Sequence, residues 1–489
     1  MWSTIRQTAT DLLTGMFTAK KPESPAVKLL NRILLVILFV FGLVLWARFL
    51  NYGEIPNDRL DWGDITYPRL MVLQQAVQQG VLPLHVDQVL GMKGVTNRYL
   101  SVPDLLLSPE VIFLKWLSVG KFILMQVLLL YSVGFWGLLA FKRRFQLSLM
   151  AFLPLFLLFN FNGHIVTHLT VGHITWSGYF LLPFFVLLLL DVVQDKPIGW
   201  TWVGQFSILQ FFIFLQGGYH QFVWILLFMV FLFLGCMGKH KFVFWGMFFA
   251  VLVNVYRILP GALLQKTLLI QFKAGFPTVG RLLQSFIELP KMESAYTLAN
   301  KVNVSVWEFN FFISVTGCLF LVFGILFMYH HRSDAYFRLV LPCVALIVLS
   351  IGNFYKPFFE SGIPLLSGER LSSRFLILPV VVLLFLAALQ IQKQFDQTSS
   401  PTFQFGGTVV LILLLANDLT QHLGHWEIKA LINYAPPELL GKFPVLGHVK
   451  DPIYSGLLIV GVVISLSSAA FLFIKILQDG KASRLSKEI

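Results

Sequence analysis

Two carboxylates three residues apart open the chemistry of this 489-residue chain: Asp61 and Asp64, in the stretch Asp61-Trp-Gly-Asp64-Ile-Thr-Tyr-Pro68-Arg69. On an α-helical turn that spacing aims both side chains one way. Close carboxylates share protons unequally, which suits a proton acceptor, and the same pair could hold a divalent cation or stand as a solvated acidic juncture. Arg370 and Arg374 are four apart in Ser367-Gly-Glu-Arg-Leu-Ser-Ser-Arg374, so a helix would stack two guanidinium groups on one face. Their planar forks suit phosphate, and snorkelling to a membrane surface is the alternative. Arg257 is a third candidate cation, with Lys93 and Arg98 behind it. His164 and His168 have the i, i+4 spacing of zinc ligands, yet no glutamate follows the first and no nearby cysteine or carboxylate completes a set with His173. No metal is therefore expected at the histidines, which would instead hydrogen-bond a ligand or a carbonyl. His220 follows Gly217-Gly218, which permit a short hairpin or the close approach of a ligand.

The elements that must position these groups are set by composition. Of the residues, 57% are hydrophobic and 12% charged, against about 25% charged in a soluble protein. That excludes an ordinary soluble enzyme, a disordered chain and a disulfide scaffold. Cys236, Cys318 and Cys343 all lie in apolar runs as small hydrophobes. A hydrocarbon core needs about 20 apolar residues of helix, and runs near 33–50, 122–141, 145–161, 176–193, 200–216, 221–237, 242–258, 309–329, 337–352, 375–392, 405–422 and 454–474 qualify. The expectation is an all-α polytopic membrane protein of about 12 transmembrane helices, with a cytoplasmic segment 1–32 and a single transmembrane domain 33–489.

An even number of spans puts both termini on one side. The short connections there, such as Lys142-Arg143-Arg144 and Lys239-His-Lys241, carry Lys and Arg at about twice the density of the other side, which makes that side cytoplasmic. The net charge of +13 is then largely a topology signal and requires no nucleic acid. The first span reads as an uncleaved anchor. Before it, Trp2, Ile5, Leu12, Leu13, Met16 and Phe17 could line a surface-lying helix or belong to a partly ordered tail.

Four long connections, about 51–121, 259–308, 353–374 and 423–453, fall on the outer side, so work at the outer face is expected. Leu70, Leu73 and Val77 recur at helical spacing through Tyr67 to Gln79, an amphipathic helix for the interface. A second should begin at Ser108-Pro109-Glu110, with Ser as N-cap and Glu at the positive end of the dipole, and run through Val111, Phe113, Leu114 and Leu117. No P-loop, no dinucleotide fingerprint and no cytoplasmic domain for a nucleotide-sugar is found, which argues against ATP-driven transport and a soluble donor.

The order of these features resembles the GT-C superfamily of integral membrane glycosyltransferases, which includes polyprenyl-phosphate-sugar-dependent mannosyl- and arabinosyltransferases and the bacterial YfhO-like proteins. The resemblance starts with one span and the Asp61 to Arg69 motif. It continues through Gly80-Val-Leu-Pro83-Leu-His85, Gly91, Arg98-Tyr-Leu-Ser-Val-Pro103-Asp104 and Ser108-Pro109. Gly172-His173 ahead of Tyr179 and Pro183, Gln216 to His220, Trp307-Glu308, and Arg370 to Arg374 complete it over most of the chain. The resemblance implies a plasma-membrane enzyme that takes a sugar from a polyprenyl-phosphate donor at the extracytoplasmic face and passes it, usually with inversion, to a hydroxyl of a glycan, lipid or protein. By motif position Asp64 is the base and Asp61 its alternative, with a divalent cation possible between them. Arg370, Arg374 and Arg257 would take the donor phosphate. Glu308, His173, His220 and Arg98 would bind substrate, Glu308 alternatively pairing with one of the arginines. An O-antigen ligase or polymerase would share this logic. A transporter or lipid flippase, or a non-catalytic scaffold subunit of the same fold, is the reading from a different class, against which stand the scarcity of mid-membrane charge and of internal repeats.

Overall fold

The computed structural model describes residues 15–17, 25–57, 59–80, 105, 107–194, 196–235, 240–264, 272, 274–291, 295–297, 303–363, 367–397, 401–431 and 452–488. Of the expected surface helix before Lys20 only Gly15, Met16 and Phe17 are described, as helix with Phe17 buried; its earlier residues, Lys93, Arg98 and the Gly80-to-Asp104 motifs beyond Gly80 lie outside the described residues. The described chain is mostly helical; its β-structure is two isolated bridges and a two-stranded antiparallel pair, Ala295–Thr297 with Asn303–Ser305. Among the described residues, eight helices are long and apolar enough to cross a membrane: Pro25–Phe49, Val119–Arg144, Leu149–Thr170, Ile174–Val193, Val306–His330, Ser372–Gln397, Gly406–His425 and Pro452–Gly480. The other expected segments fall on the shorter apolar helices Trp200–Leu215, Tyr219–Gly235 and Ala335–Leu349 and on a bent pair, Lys241–Leu252 with Val255–Leu263. The protein is thus a multi-pass membrane protein.

The chain groups into two compact units. One comprises Met1–Phe49, Leu128–Thr167 and Phe272–Glu427; the other comprises Leu50–Val127, His168–Gln271 and Ile428–Ile489. In the first, the helix Ile377–Gln397 is buried along nearly its whole length. It packs against Ser314–His330 at Gly324, where a β-carbon would sit 2.3 Å from the Leu383 carbonyl oxygen. In lipid, helices gain by such close backbone approach because apolar burial alone does not drive them together. Pro25–Phe49 leaves Leu29, Ile33, Val36, Ile37, Val40 and Val44 exposed, the face of a span that meets lipid.

In the second unit, the span expected over 242–258 is broken by 68° between Leu252 and Val255. A break in a membrane helix frees backbone groups that hydrocarbon cannot satisfy. Ser465, on the long C-terminal helix, takes up both sides of it: its Oγ accepts from Tyr256 N at 3.1 Å and donates to the Leu252 carbonyl at 3.2 Å. The same helix provides Asp479, whose Oδ2 accepts from Trp200 N at 2.7 Å and so caps Trp200–Leu215.

The helix Tyr67–Gln79 forms as expected, ending at Gly80 in the left-handed conformation, and buries Pro68, Leu70, Val72, Leu73 and Ala76. The second helix expected in this connection is a 3-10 helix, Pro109–Lys115. Phe113, expected on its apolar stripe, is exposed with Ile112 and Trp116, while Val111 and Leu114 are buried. Ser108 stands at the N-cap, with Pro109 after it and Glu110 in the first turn, as expected, but the Ser108 side chain makes no capping bond. The Gln216 amide claims both, donating to Ser108 Oγ at 3.0 Å and to Glu110 Oε1 at 2.8 Å while accepting from Gln126 Nε2 at 2.7 Å. A buried polar network of this kind removes the groups a solvated cap would have used.

Candidate active site

The turn that carries the acidic pair is not α-helical. Trp62–Thr66 is a π-helical turn with Asp61 at its N-cap, closed by Tyr67 N to Trp62 O, so the α-turn on which the shared direction of Asp61 and Asp64 rested does not form. Leu60, immediately before Asp61, has φ 52°, and Asn51 and Tyr52 are also left-handed, at φ 45° and 52°. Left-handed backbone at a branched residue and a π-turn are both unfavourable in isolation, and both concentrate at functional sites. The Asp64 side chain lies outside what the structure describes.

Three contacts fix this turn against the segment Thr170–His173, in the same unit. Trp62 is fully buried and its Nε1 donates to the Thr170 carbonyl at 2.7 Å. Thr66 Oγ1 donates to the Gly172 carbonyl at 2.5 Å. Gly172 itself has φ 98°, and a β-carbon on it would meet Trp62 N at 2.5 Å. Only glycine allows both that conformation and that approach. The result is that Asp61 Oδ2 and His173 Nε2 lie 2.5 Å apart, the two side chains 27% and 15% exposed. Asp61 makes no capping bond to its own helix, and its carboxylate goes to the imidazole instead. A short carboxylate–imidazole contact that retains access to solvent is a reasonable place for a proton acceptor.

Behind His173 stands a layer of rings. Trp176 Nε1 donates to His173 Nδ1 at 2.8 Å, and His168 Nδ1 lies 2.7 Å from the same atom. Trp176 is tilted against Trp224 and against His220, with centroids 5.2 Å and 5.1 Å away. His220, expected to bind substrate from the glycine turn, is therefore half-buried in this layer; the turn itself forms, with Gly217 at φ 79°. Sequence reasoning singled out His173 and His220 but passed over Trp176. Its spacing of three from His173 on the 3-10 helix Ile174–Leu181 was the available signal.

In the other unit the expected stack of Arg370 and Arg374 is not formed. Arg370 is exposed and precedes the 3-10 turn Ser372–Leu376. Its carbonyl accepts from Ala274 N at 3.2 Å, and Ser372 N donates to the Ala274 carbonyl at 2.9 Å, an extended pairing that excludes helix here. Arg374 is buried and grips Glu308 with both ends of its fork, Nε to Oε2 and Nη2 to Oε1, each at 2.7 Å. Its Nη1 donates to Glu369 Oε1 at 3.2 Å. Of the two roles open to Glu308, the structure shows the pairing with an arginine. Glu369, not among the sequence candidates, completes the cluster. A guanidinium already between two carboxylates is a poor anion receptor, because the cluster presents no excess positive charge. Arg257 is half-buried on Val255–Leu264, just past the break. Asp191 pairs with Lys196 at 3.3 Å.

Fold and site together describe a polytopic helical membrane protein in which Asp61 of the first long connection meets His173 of the Thr170–His173 segment. The solved structure of the arabinofuranosyltransferase AftD from Mycobacteria is similar to 81% of this chain, with a TM-score of 0.50 and 13% sequence identity. The likeness is one of fold alone. This chain matches 27% of the length of AftD. No family model matches the sequence, and no curated protein does.

Proposed function

We propose that this protein is a membrane glycosyltransferase that takes a sugar from a polyprenyl-phosphate donor at the extracytoplasmic face of the plasma membrane and passes it, with inversion, to an acceptor hydroxyl on a glycan, lipid or protein. The observation that carries the reading is the Asp61 carboxylate, held 2.5 Å from His173 on a π-helical turn just beyond the first span. An acceptor hydroxyl needs a proton acceptor in fixed position, and the departing lipid phosphate needs positive charge near it. The geometry favours Asp61 as the base. Asp64, in the same turn, is the second carboxylate, either as an alternative base or as the partner of Asp61 around a divalent cation. For the phosphate, Arg370 and Arg257 are the candidates, with Arg98 in the first connection. Arg374 is withdrawn from that role by Glu308 and Glu369. The fold likeness to an arabinofuranosyltransferase supports the reaction class and makes a lipid-linked pentose the first donor to try.

The test is transfer from radiolabelled polyprenyl-phosphate sugars, polyprenyl-phosphate arabinose first, by the purified full chain and by Asp61→Asn and Asp64→Asn. Loss of transfer in a folded Asp61→Asn variant supports the assignment. Transfer unaffected by either substitution removes a first-connection base. If the wild type binds none of the lipid-linked sugars, a transporter or a non-catalytic scaffold becomes the better account.

A further inference from the structure

His173 Nδ1 has one in-plane lone pair and two nitrogen neighbours, Trp176 Nε1 at 2.8 Å and His168 Nδ1 at 2.7 Å. An indole nitrogen can only donate. His173 Nδ1 is therefore an acceptor, since a proton on it would meet the indole N–H head on. In a neutral imidazole the proton then sits on the other nitrogen, Nε2, which is the atom 2.5 Å from Asp61 Oδ2. His168 Nδ1 faces the same bare nitrogen, where a second lone pair would repel it, so it donates and shares the His173 lone pair with the indole N–H.

Packing holds the donors in place. The two imidazoles meet edge to edge, with centroids 5.0 Å apart and planes at 26°. Trp176 stands edge-on to both, at 4.7 Å from His168 and 5.9 Å from His173. Trp176 is itself buried, and its carbonyl accepts from Gln221 Nε2 at 3.2 Å. Its backbone N–H donates to the His173 carbonyl at 2.9 Å, so the indole and the imidazole it serves belong to one short turn.

We propose that Trp176 and His168 are positioning residues that lock His173 in the Nε2–H tautomer, so that His173 only donates to Asp61 and Asp61 only accepts. The consequence for the reaction rests on the reading of Asp61 as the base; the tautomer does not. The donated N–H stabilises the carboxylate form of Asp61 and turns it towards one orientation. A histidine in the wrong tautomer at an otherwise intact site costs large factors in kcat elsewhere in enzymology.

The experiment is nitrogen NMR on the full chain labelled with 15N-histidine in detergent, with His173 and His168 assigned by the signals lost in His173→Gln and His168→Gln. The expected wild-type result is a protonated Nε2 and a bare Nδ1 on His173, and the reverse on His168. In Trp176→Phe the His173 signals should split between the two tautomers, and kcat for transfer from a radiolabelled polyprenyl-phosphate sugar should fall about tenfold with KM unchanged. A proton on His173 Nδ1 in the wild type overturns the proposal, as does a Trp176→Phe protein with an unaltered His173 tautomer. The wild-type spectrum decides even if Trp176→Phe does not fold. If the tautomers are as proposed while Asp61→Asn transfers sugar at the wild-type rate, the lock stands and the assignment of Asp61 as base falls alone.

Discussion

Asp61 Oδ2 lies 2.5 Å from His173 Nε2 across 112 residues of sequence, and backbone carbonyls, more than the two side chains, hold them there. Trp62 and Thr66 on one turn donate to Thr170 and Gly172 on the other, so the carboxylate and the imidazole are brought together by the same hydrogen bonds that shape their supports. A site built this way resists small rotamer changes and fails when the backbone contact is lost.

Asp61→Asn keeps the shape of the side chain and removes its capacity to accept a proton. Transfer should fall by about a hundredfold or more, the usual contribution of a positioned general base, while Asp64→Asn should cost less. Initial rates with the labelled donor measure both, and a larger loss in Asp64→Asn would exchange the two assignments.

Gly172→Ala should damage both stability and activity. The added methyl would sit 2.5 Å from Trp62 N at a residue with φ 98°, so either the turn or the Asp61 loop must move. A cost of about 2 kcal/mol in unfolding free energy is expected, with transfer reduced further than stability alone explains. Thermal unfolding in detergent beside an activity assay at a temperature where the variant remains folded separates the two effects.

In the buried cluster, Arg374→Met should be worse than Glu308→Gln. The first leaves Glu308 and Glu369 together without their cation, whereas the second leaves Arg374 still facing Glu369 at 3.2 Å. Breaking a buried pair from one side costs about 3–5 kcal/mol, and the arginine variant should reach or exceed that range. The reverse order of melting temperatures would mean that the cluster does not act as a charge-balanced unit.

Ser465→Ala should loosen the break at Leu252–Val255. It removes the acceptor of the Tyr256 N–H and the donor to the Leu252 carbonyl, at about 1–3 kcal/mol for polar groups left unsatisfied. Hydrogen exchange at the Tyr256 amide should quicken while the amides of Trp200–Leu215 remain protected. Unchanged exchange at Tyr256 would show that the break is satisfied by other means.

The membrane class and the position of each apolar segment were legible in the sequence because the hydrophobic thickness of a bilayer and the rise of a helix are local constraints. Each of the expected segments coincides with an apolar helix, and the amphipathic helix Tyr67–Gln79 could be read to its ends from the apolar spacing and Gly80. Asp61 and His173 were visible as separate candidates. Their contact was not, because it depends on a glycine at positive φ and on carbonyls that belong to another turn. Spacing misled at Arg370 and Arg374: a separation of four implies one face only if the backbone is helical, and Ala274 holds Arg370 and Ser372 in an extended pairing instead. Trp176 read as one more aromatic in an apolar run, since donation to an imidazole leaves no trace in composition. The sequence by itself thus determined which segments leave water and which titratable groups are available to work. Only the tertiary structure decided which of those groups meet, because hydrogen bonds and ion pairs act over about 3 Å, a distance that residues far apart in the chain reach only when the fold has closed.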